Sequence, residues 1–380
     1  MSITKAAGKA TIWVPITGLG IFAIASGYLM SLIPLVLDQN QFPAQTAGWM
    51  ASSYYLGLLL GAVIVEAIIA KIGHRQSMVG FLALTALTVG GMMLWSHPNI
   101  WVFLRLVAGI AVAGVFVVIE SWLLICDSAK QRTRRLSLYM LVLYGGTALG
   151  QLLISALGAS GQAPFILIIT MLLVSLLPPM LVRGAKPPVT EHQAMRWKDI
   201  RALNKAALFG CFISGMLLGP IYGLLPLFLT QQRMNEAQVG VVMTAVVVGG
   251  MLVQPIISLF AGRGKKIWQI ACCALLGVIA VEGVIMSGSS QMTVISYMML
   301  GMASFAIYPI AISLACDDIR PEQVVSATQI CLLGYGVGSV AGPLMAGAML
   351  SMMPYYLLAC MVATFASLVM GKNRTLAMPQ

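Results

Sequence analysis

Eleven short interruptions of charged or turn-forming residues divide the sequence into twelve apolar runs, and nearly every lysine and arginine lies in alternate interruptions. A helix needs about 20 apolar residues to cross the roughly 30 Å hydrocarbon core of a bilayer. The runs at 12–37, 47–70, 77–96, 100–125, 136–158, 164–182, 206–230, 237–262, 267–288, 292–315, 325–350 and 354–371 all have about that length. Lipid offers no partner to an open backbone edge, so such spans are expected to be helices rather than barrel strands. The predicted fold is an all-α polytopic membrane protein with 12 transmembrane helices. Hydrophobic residues make up 59% of the chain and charged ones 9%, at a mean hydropathy of +0.94. That is more apolar surface than a water-soluble fold could bury.

The net charge of +11 would suit a nucleic-acid binder, but its distribution excludes one. Lys5 and Lys9 precede the first run, Lys71 and Arg75 follow the second, and Lys130, Arg132, Arg134 and Arg135 follow the fourth. Six more cations lie in 183–205 after the sixth run, three follow the eighth, and Arg320, Lys372 and Arg374 complete the set. The opposite loops hold Arg233 alone. By the positive-inside rule the basic loops are cytoplasmic. Both termini and the 183–205 segment are therefore expected inside a bacterial inner membrane, with lipid as the surrounding partner. Ala23-Ile24-Ala25 resembles a signal-peptide cleavage site, but the run reaches Leu37, longer than a signal core. All seven cysteines (Cys126, Cys211, Cys272, Cys273, Cys316, Cys331 and Cys360) fall in runs or at their ends, without C-x-x-C spacing. They read as small apolar fillers, with no metal site or cofactor expected.

Shifting the chain by 192 residues lays one half on the other. Gly27 meets Gly219, Pro34 meets Pro226, Gln39 meets Gln231, Gly48 meets Gly240, and Gly146 and Gly150 meet Gly338 and Gly342. Each half holds six spans, an even number, so the halves are parallel repeats: 1–182 and 206–380, joined by 183–205. Small residues recur every fourth position, as Ala23, Gly27 and Ser31 in span 1 and Gly215, Gly219 and Gly223 in span 7. Span 11 carries Gly334, Gly338, Gly342 and Ala346. Such rows let backbones approach closely, as fixed packing, as seams that slide when the halves rock, or as both.

Several strings resemble elements of the major facilitator superfamily. Ala70-Lys71-Ile72-Gly73-His74-Arg75 is similar to its D-R-x-G-R-R loop, and Arg105-Leu106-Val107-Ala108-Gly109 to its R-x-x-x-G element. Glu120-Ser121-Trp122, Arg134 to Tyr139, Gly150-Gln151, Tyr222 to Pro226, Tyr308-Pro309 and Gly338 to Pro343 resemble the YcaD-like branch. The resemblance implies two six-helix bundles and alternating access. It also implies a gating or conformational role for Lys71, Gly73, Arg75, Asp127, Gly338, Gly342 and Pro343. The chain departs from the pattern at Ala70, where the superfamily carries an acid, and at Glu66, where it carries glycine. Span 5 has Gly150-Gln151 in place of the Gly-Pro of antiporter subfamilies.

A charge at membrane depth costs several kcal/mol unless it is paired, neutralised or wet. Four candidates lie deep: Glu66, Arg105, Glu120 and Glu282. Arg105 and Glu120 share one helix and, fifteen residues apart, face within about 60° of each other at a separation of about 22 Å. Gly109, Val112 and Phe116 lie between them, so the pair predicts a polar stripe down a cavity. Arg105 would hold an anionic group or a substrate-facing carboxylate, and Glu120, with Glu66 as a second candidate, would take up and release a proton. Alternatively, Arg105 and Glu120 would each make a fixed inter-helix pair that sets the bundle. Glu66 could instead pair with Lys71 or Lys130. Asp127 and Asp317 would hold cations or cap helices, and Asp38 would be a solvated rim charge. Tyr28, Tyr139, Tyr144, Gln151, Tyr222, Gln254, Tyr308, Gln329 and Tyr335 complete the candidate cavity, because a buried tyrosine or glutamine needs a partner in lipid.

Together these features point to a secondary transporter that is a monomer, moves a small organic solute with protons, and favours efflux. Uptake of an anionic metabolite and a non-transporting sensor are the alternatives. The three histidines, His74, His97 and His192, lie in separate loops and form no catalytic constellation, so an enzyme is not expected. In a cysteine-free background, Thr190→Cys should react with a membrane-impermeant maleimide only after lysis, and His97→Cys in intact spheroplasts. The reverse pattern would invert the topology.

Overall fold

A computed structural model of the chain describes residues 3–124, 129–181, 204–260, 265–317 and 324–376. Among them every regular element is helical. The first half contains α1 (Ile3–Gln39), α2 (Ala44–Ile72), α3 (His74–Leu94), α4 (Pro98–Leu124), α5 (Ala129–Leu157), α6 (Ala163–Val174) and α7 (Leu177–Leu181). The second contains α8 (Lys205–Gly223), α9 (Leu225–Gln231), α10 (Glu236–Phe260), α11 (Lys266–Met286), α12 (Ser290–Ala315), α13 (Val324–Ala348) and α14 (Met353–Leu376), with a 3-10 turn at Leu350–Met352. Twelve helical spans, the sixth running through α6 and α7 to Met180 and the twelfth from the 3-10 turn into α14, are long and apolar enough to cross a membrane. The expected linker 183–205 lies outside the described residues except for its last two positions, and Asp127 lies outside them as well.

Two spans expected as single helices are broken. The sixth stops at Val174 and restarts as α7, where Pro178 and Pro179 supply no backbone N–H. The seventh breaks at Leu224, between Gly223 and Pro226 in the first turn of α9. In α1, Pro34 is tolerated inside a continuous helix. The repeat counterpart of Gly223 there is Ser31, which holds a helical backbone more readily than glycine does.

The chain divides into two compact units. The first is Met1–Thr46, Ser53–Glu191 and Met234–Gly240; the second is Ala47–Ser52, His192–Arg233 and Val241–Gln380. Within the first, α1 packs on α4, α5 and α6, and α3 packs on α4 and α6. Within the second, α8 packs on α12, α13 and α14, and α11 packs on α12 and α14. The helix pairings are therefore the same under the repeat.

Small residues make the tightest pair in each unit possible. A Cβ on Gly215 of α8 would come within 2.1 Å of the Tyr335 carbonyl oxygen, and one on Gly338 of α13 within 2.1 Å of the Phe212 oxygen. Gly27 of α1 and Gly150 of α5 face each other's helix backbones in the same way. These small-residue rows thus hold helix pairs inside a single unit. Gly338→Ala should lower stability by about 1–3 kcal/mol, the usual cost of forcing packed elements apart. Gly145→Ala, where an added Cβ meets nothing within 4 Å, should be neutral or raise stability by up to about 1 kcal/mol. Thermal unfolding of the two purified variants beside wild type checks both.

Candidate functional site

The polar groups of the first unit are organised along α4. Gly57 of α2 and Gly109 of α4 meet backbone to backbone, with each one's ideal Cβ 2.9 Å from the other's Cα. That contact sets the register of the two helices. Three residues before Gly57 is Tyr54, and four before Gly109 is Arg105. The Arg105 guanidinium accordingly lies over the Tyr54 ring, 4.0 Å from its centroid. Tyr54 also makes an edge-on contact with Tyr55 at 5.6 Å. A cavity of about 30 Å³ opens beside the guanidinium, lined among others by Phe22, Ser26, Tyr54, Thr85, Arg105 and Val112. Among the described residues no carboxylate pairs with Arg105; the ion pair found there is Lys266 with Asp317.

Further along α4, the Tyr139 hydroxyl of α5 donates to Glu120 Oε1 at 2.8 Å. Tyr139 is buried, and Glu120 is half-buried. No lysine or arginine among the described residues forms an ion pair with this carboxyl group. Phe116, between the two charges, packs edge-on against Phe22 of α1 at 5.9 Å. Along α4 the two charged groups thus sit at two separate polar stations with an aromatic pair between them. Gly109 leaves the stripe to pack on α2, while Val112 lines the cavity.

The remaining candidates divide between structural bonding and aromatic packing. The Tyr28 hydroxyl donates to the Gly158 carbonyl at 2.7 Å, and buried Gln151 accepts from Ser31 through its Oε1. Tyr144 is half-buried on α5. In the second unit Tyr222 meets the Phe305 ring edge-on at 5.7 Å, and Tyr308 and Tyr335 lie 4.8 Å apart by ring centroids. Gln254 donates to Gly250 of its own helix, and Gln329 is half-buried. Glu66 lies on an exposed face of α2 and forms no ion pair with Lys71; the Lys130 side chain falls outside the described residues. Asp38 is exposed, as a rim charge would be, and Asp317 does hold a cation, Lys266.

The loop resembling the superfamily element is built around Gly73, whose φ of 84° favours glycine at the junction of α2 and α3. Lys71 is exposed there. Arg75 turns instead to the end of α7, where Nε donates to the Pro179 carbonyl at 2.7 Å and a terminal nitrogen to that of Met180. It therefore caps carbonyls that a helix C-terminus leaves without partners. Gly338 and Gly342 pack on α8, and the Pro343 carbonyl faces Gly48.

Two groups escape a census of mid-span polar residues. Tyr54 sits in span 2, where the signal was its place one turn before Gly57. Glu236, at the start of α10, accepts from the Ala159 backbone N–H at 2.8 Å and from Gln39 Nε2 at 3.1 Å. Nothing in its local sequence marks it apart from an ordinary helix-start acid.

This architecture of paired six-helix repeats coincides with a family model. Residues 16–343 match the Major Facilitator Superfamily. The chain belongs to the Major Facilitator Superfamily. An uncharacterized MFS-type transporter from Enterobacter sp. (strain 638) is 32% identical over 358 residues, covering 92% of this chain and 91% of the relative. The MFS-type transporter YcaD of Escherichia coli O17:K52:H18 is 32% identical over 334 residues, covering 86% of each chain. Among solved structures, the nucleoside transporter NupG aligns with a TM-score of 0.74 at 15% identity, covering 97% of this chain and all of that one (100%). A structure from the proton-dependent oligopeptide transporters aligns with a TM-score of 0.75 at 11% identity, covering 96% and 98%. At such identities the structures share the superfamily fold alone. The chain is a multi-pass membrane protein of a transporter family.

Because the Tyr28 hydroxyl is committed to the Gly158 carbonyl, Tyr28→Phe should cost stability rather than ligand affinity. The expected loss is about 1 kcal/mol, the net value of one such hydrogen bond. Thermal unfolding with and without a bound solute separates the two effects: an unchanged apo Tm would show that the bond contributes nothing.

Proposed function

We propose that this member of the superfamily is a proton-coupled secondary transporter. It moves a small organic solute across the bacterial inner membrane by alternating access, as a monomer with both termini cytoplasmic. The observation that carries the reading is the Glu120–Tyr139 pair: a carboxyl group in the helical bundle with a hydroxyl donor at 2.8 Å and no cation paired to it among the described residues. A carboxylate fixed for structural reasons in a low-dielectric interior is normally matched by a cation. Where a proton takes the cation's place, the group can change charge during a transport cycle, and Tyr139 can remain bonded to it in both forms. Glu120 is therefore assigned the proton, ahead of the exposed Glu66. The apolar character of the cavity walls favours efflux of small organic compounds.

Glu120→Gln keeps the shape and the Tyr139 contact while removing the exchangeable proton. With a solute identified by thermal-shift screening, proteoliposomes carrying this variant should lose at least about 10-fold of flux driven by an imposed pH gradient, within the range a single proton-transfer group contributes. Solute exchange at equal pH should persist. Gradient-driven flux at the wild-type rate would remove Glu120 from the proton pathway. Leakage that fails to saturate would remove the carrier reading altogether.

A further inference from the structure

We propose that the Arg105 cavity is the recognition site for the acidic group of an organic monocarboxylate, which names the substrate class of the carrier proposed above and rests on that reading. The argument begins with what Arg105 has and lacks. One face of its guanidinium is occupied by the Tyr54 ring at 4.0 Å. Stacking uses the π face and leaves the N–H donors, which lie in the guanidinium plane, free to bond elsewhere. No described residue accepts a hydrogen bond from them, and none of the described carboxylates neutralises the charge. Tyr54 is itself anchored through the α2–α4 contact at Gly57 and Gly109, so the guanidinium is held in place without being saturated. A planar donor fork of this kind matches a carboxylate in bidentate geometry.

The cavity defines what the ligand can be. Its volume of about 30 Å³ is room for about two waters, the scale of a carboxylate group rather than of a whole solute. Arg105 is the one charged residue among those lining it, and Ser26 and Thr85 are the polar neighbours. The cavity thus supplies one positive charge, which balances one carboxylate. Phe22, Leu29, Met30 and Val112 complete the surroundings, so the carbon next to the carboxylate should be apolar or aromatic.

Purified wild-type protein would be titrated with benzoate and phenylacetate and with their uncharged amides, benzamide and phenylacetamide, at constant ionic strength, reading thermal stability. The carboxylates should raise Tm and the amides should not. Arg105→Gln should abolish the preference. Arg105→Lys retains the charge but not the fork or the stacking, and should raise the half-maximal carboxylate concentration at least about 10-fold. If Arg105→Gln does not fold, the Arg105→Lys comparison decides.

Equal stabilisation by acids and amides, no stabilisation by either acid, or wild-type affinity in Arg105→Lys would each overturn the proposal. Flux measurements keep it distinct from the transport reading. Saturable, gradient-driven flux of solutes without any carboxylate preference would remove the anion site and leave the carrier. A carboxylate preference that needs Arg105, in a protein showing no flux, would do the reverse.

Discussion

Hydrocarbon solvates neither a peptide group nor a charge, and nearly every feature of this molecule follows from that. Helices satisfy their own backbones, so the chain crosses as helices. Side chains with polar ends must then find partners inside the bundle, and many take the nearest backbone carbonyl. The Trp101 indole N–H donates to the Met92 and Trp95 carbonyls, and the Tyr356 hydroxyl donates to Met216 O at 3.0 Å. Thr147 and Thr364 return their hydroxyls to carbonyls one turn back on their own helices. Against that background of settled accounts, Arg105 and Glu120 stand apart as groups whose charge no described residue cancels.

The second constraint is that lipid gives helices little hydrophobic reason to associate, so contact must come from close packing. Glycine supplies it, and in doing so it sets register. Gly57 against Gly109 places Tyr54 beneath Arg105; Gly27 and Gly150 bring α1 to α5, where Ser31 reaches Gln151. Packing and the setting of Arg105 are thus linked through the same residues. A change that pushes α2 from α4 would move the aromatic ring that orients the guanidinium, even though neither glycine touches a ligand.

This linkage also explains which parts of the molecule are legible in the sequence. The twelve spans, the parallel repeat and the family could be read directly, because apolar length, an even span count and ordered short motifs are properties of the chain itself. Arg105 and Glu120 could be singled out because charges in apolar runs are rare. Their partners could not, since Tyr54 and Tyr139 are reached through helix packing, and packing depends on a glycine crossing that spacing alone does not locate. For the same reason the face on which Glu66 lies depends on the rotation of α2 about its own axis, which spacing alone does not give. Arg75 is a further case: its motif suggests gating, while its bonds go to the end of α7, an element that exists only because Pro178 and Pro179 interrupt span 6.

Charge on the cargo has a consequence for direction. Moving one elementary charge across a membrane potential is worth about 2.3 kcal/mol per 100 mV. Under the proposed reading the cell interior is negative, so a monoanion carried on Arg105 would gain that energy on leaving the cell and would have to overcome it on entering. Exchange of an outgoing anion for an incoming proton on Glu120 would move charge in the favoured sense twice per cycle, and the potential would add to the pH gradient. Uptake of the same anion with a single proton would be electroneutral and draw on the pH gradient alone. Were Arg105 to hold a monoanion and Glu120 a proton, as proposed, export would be the energetically favoured direction.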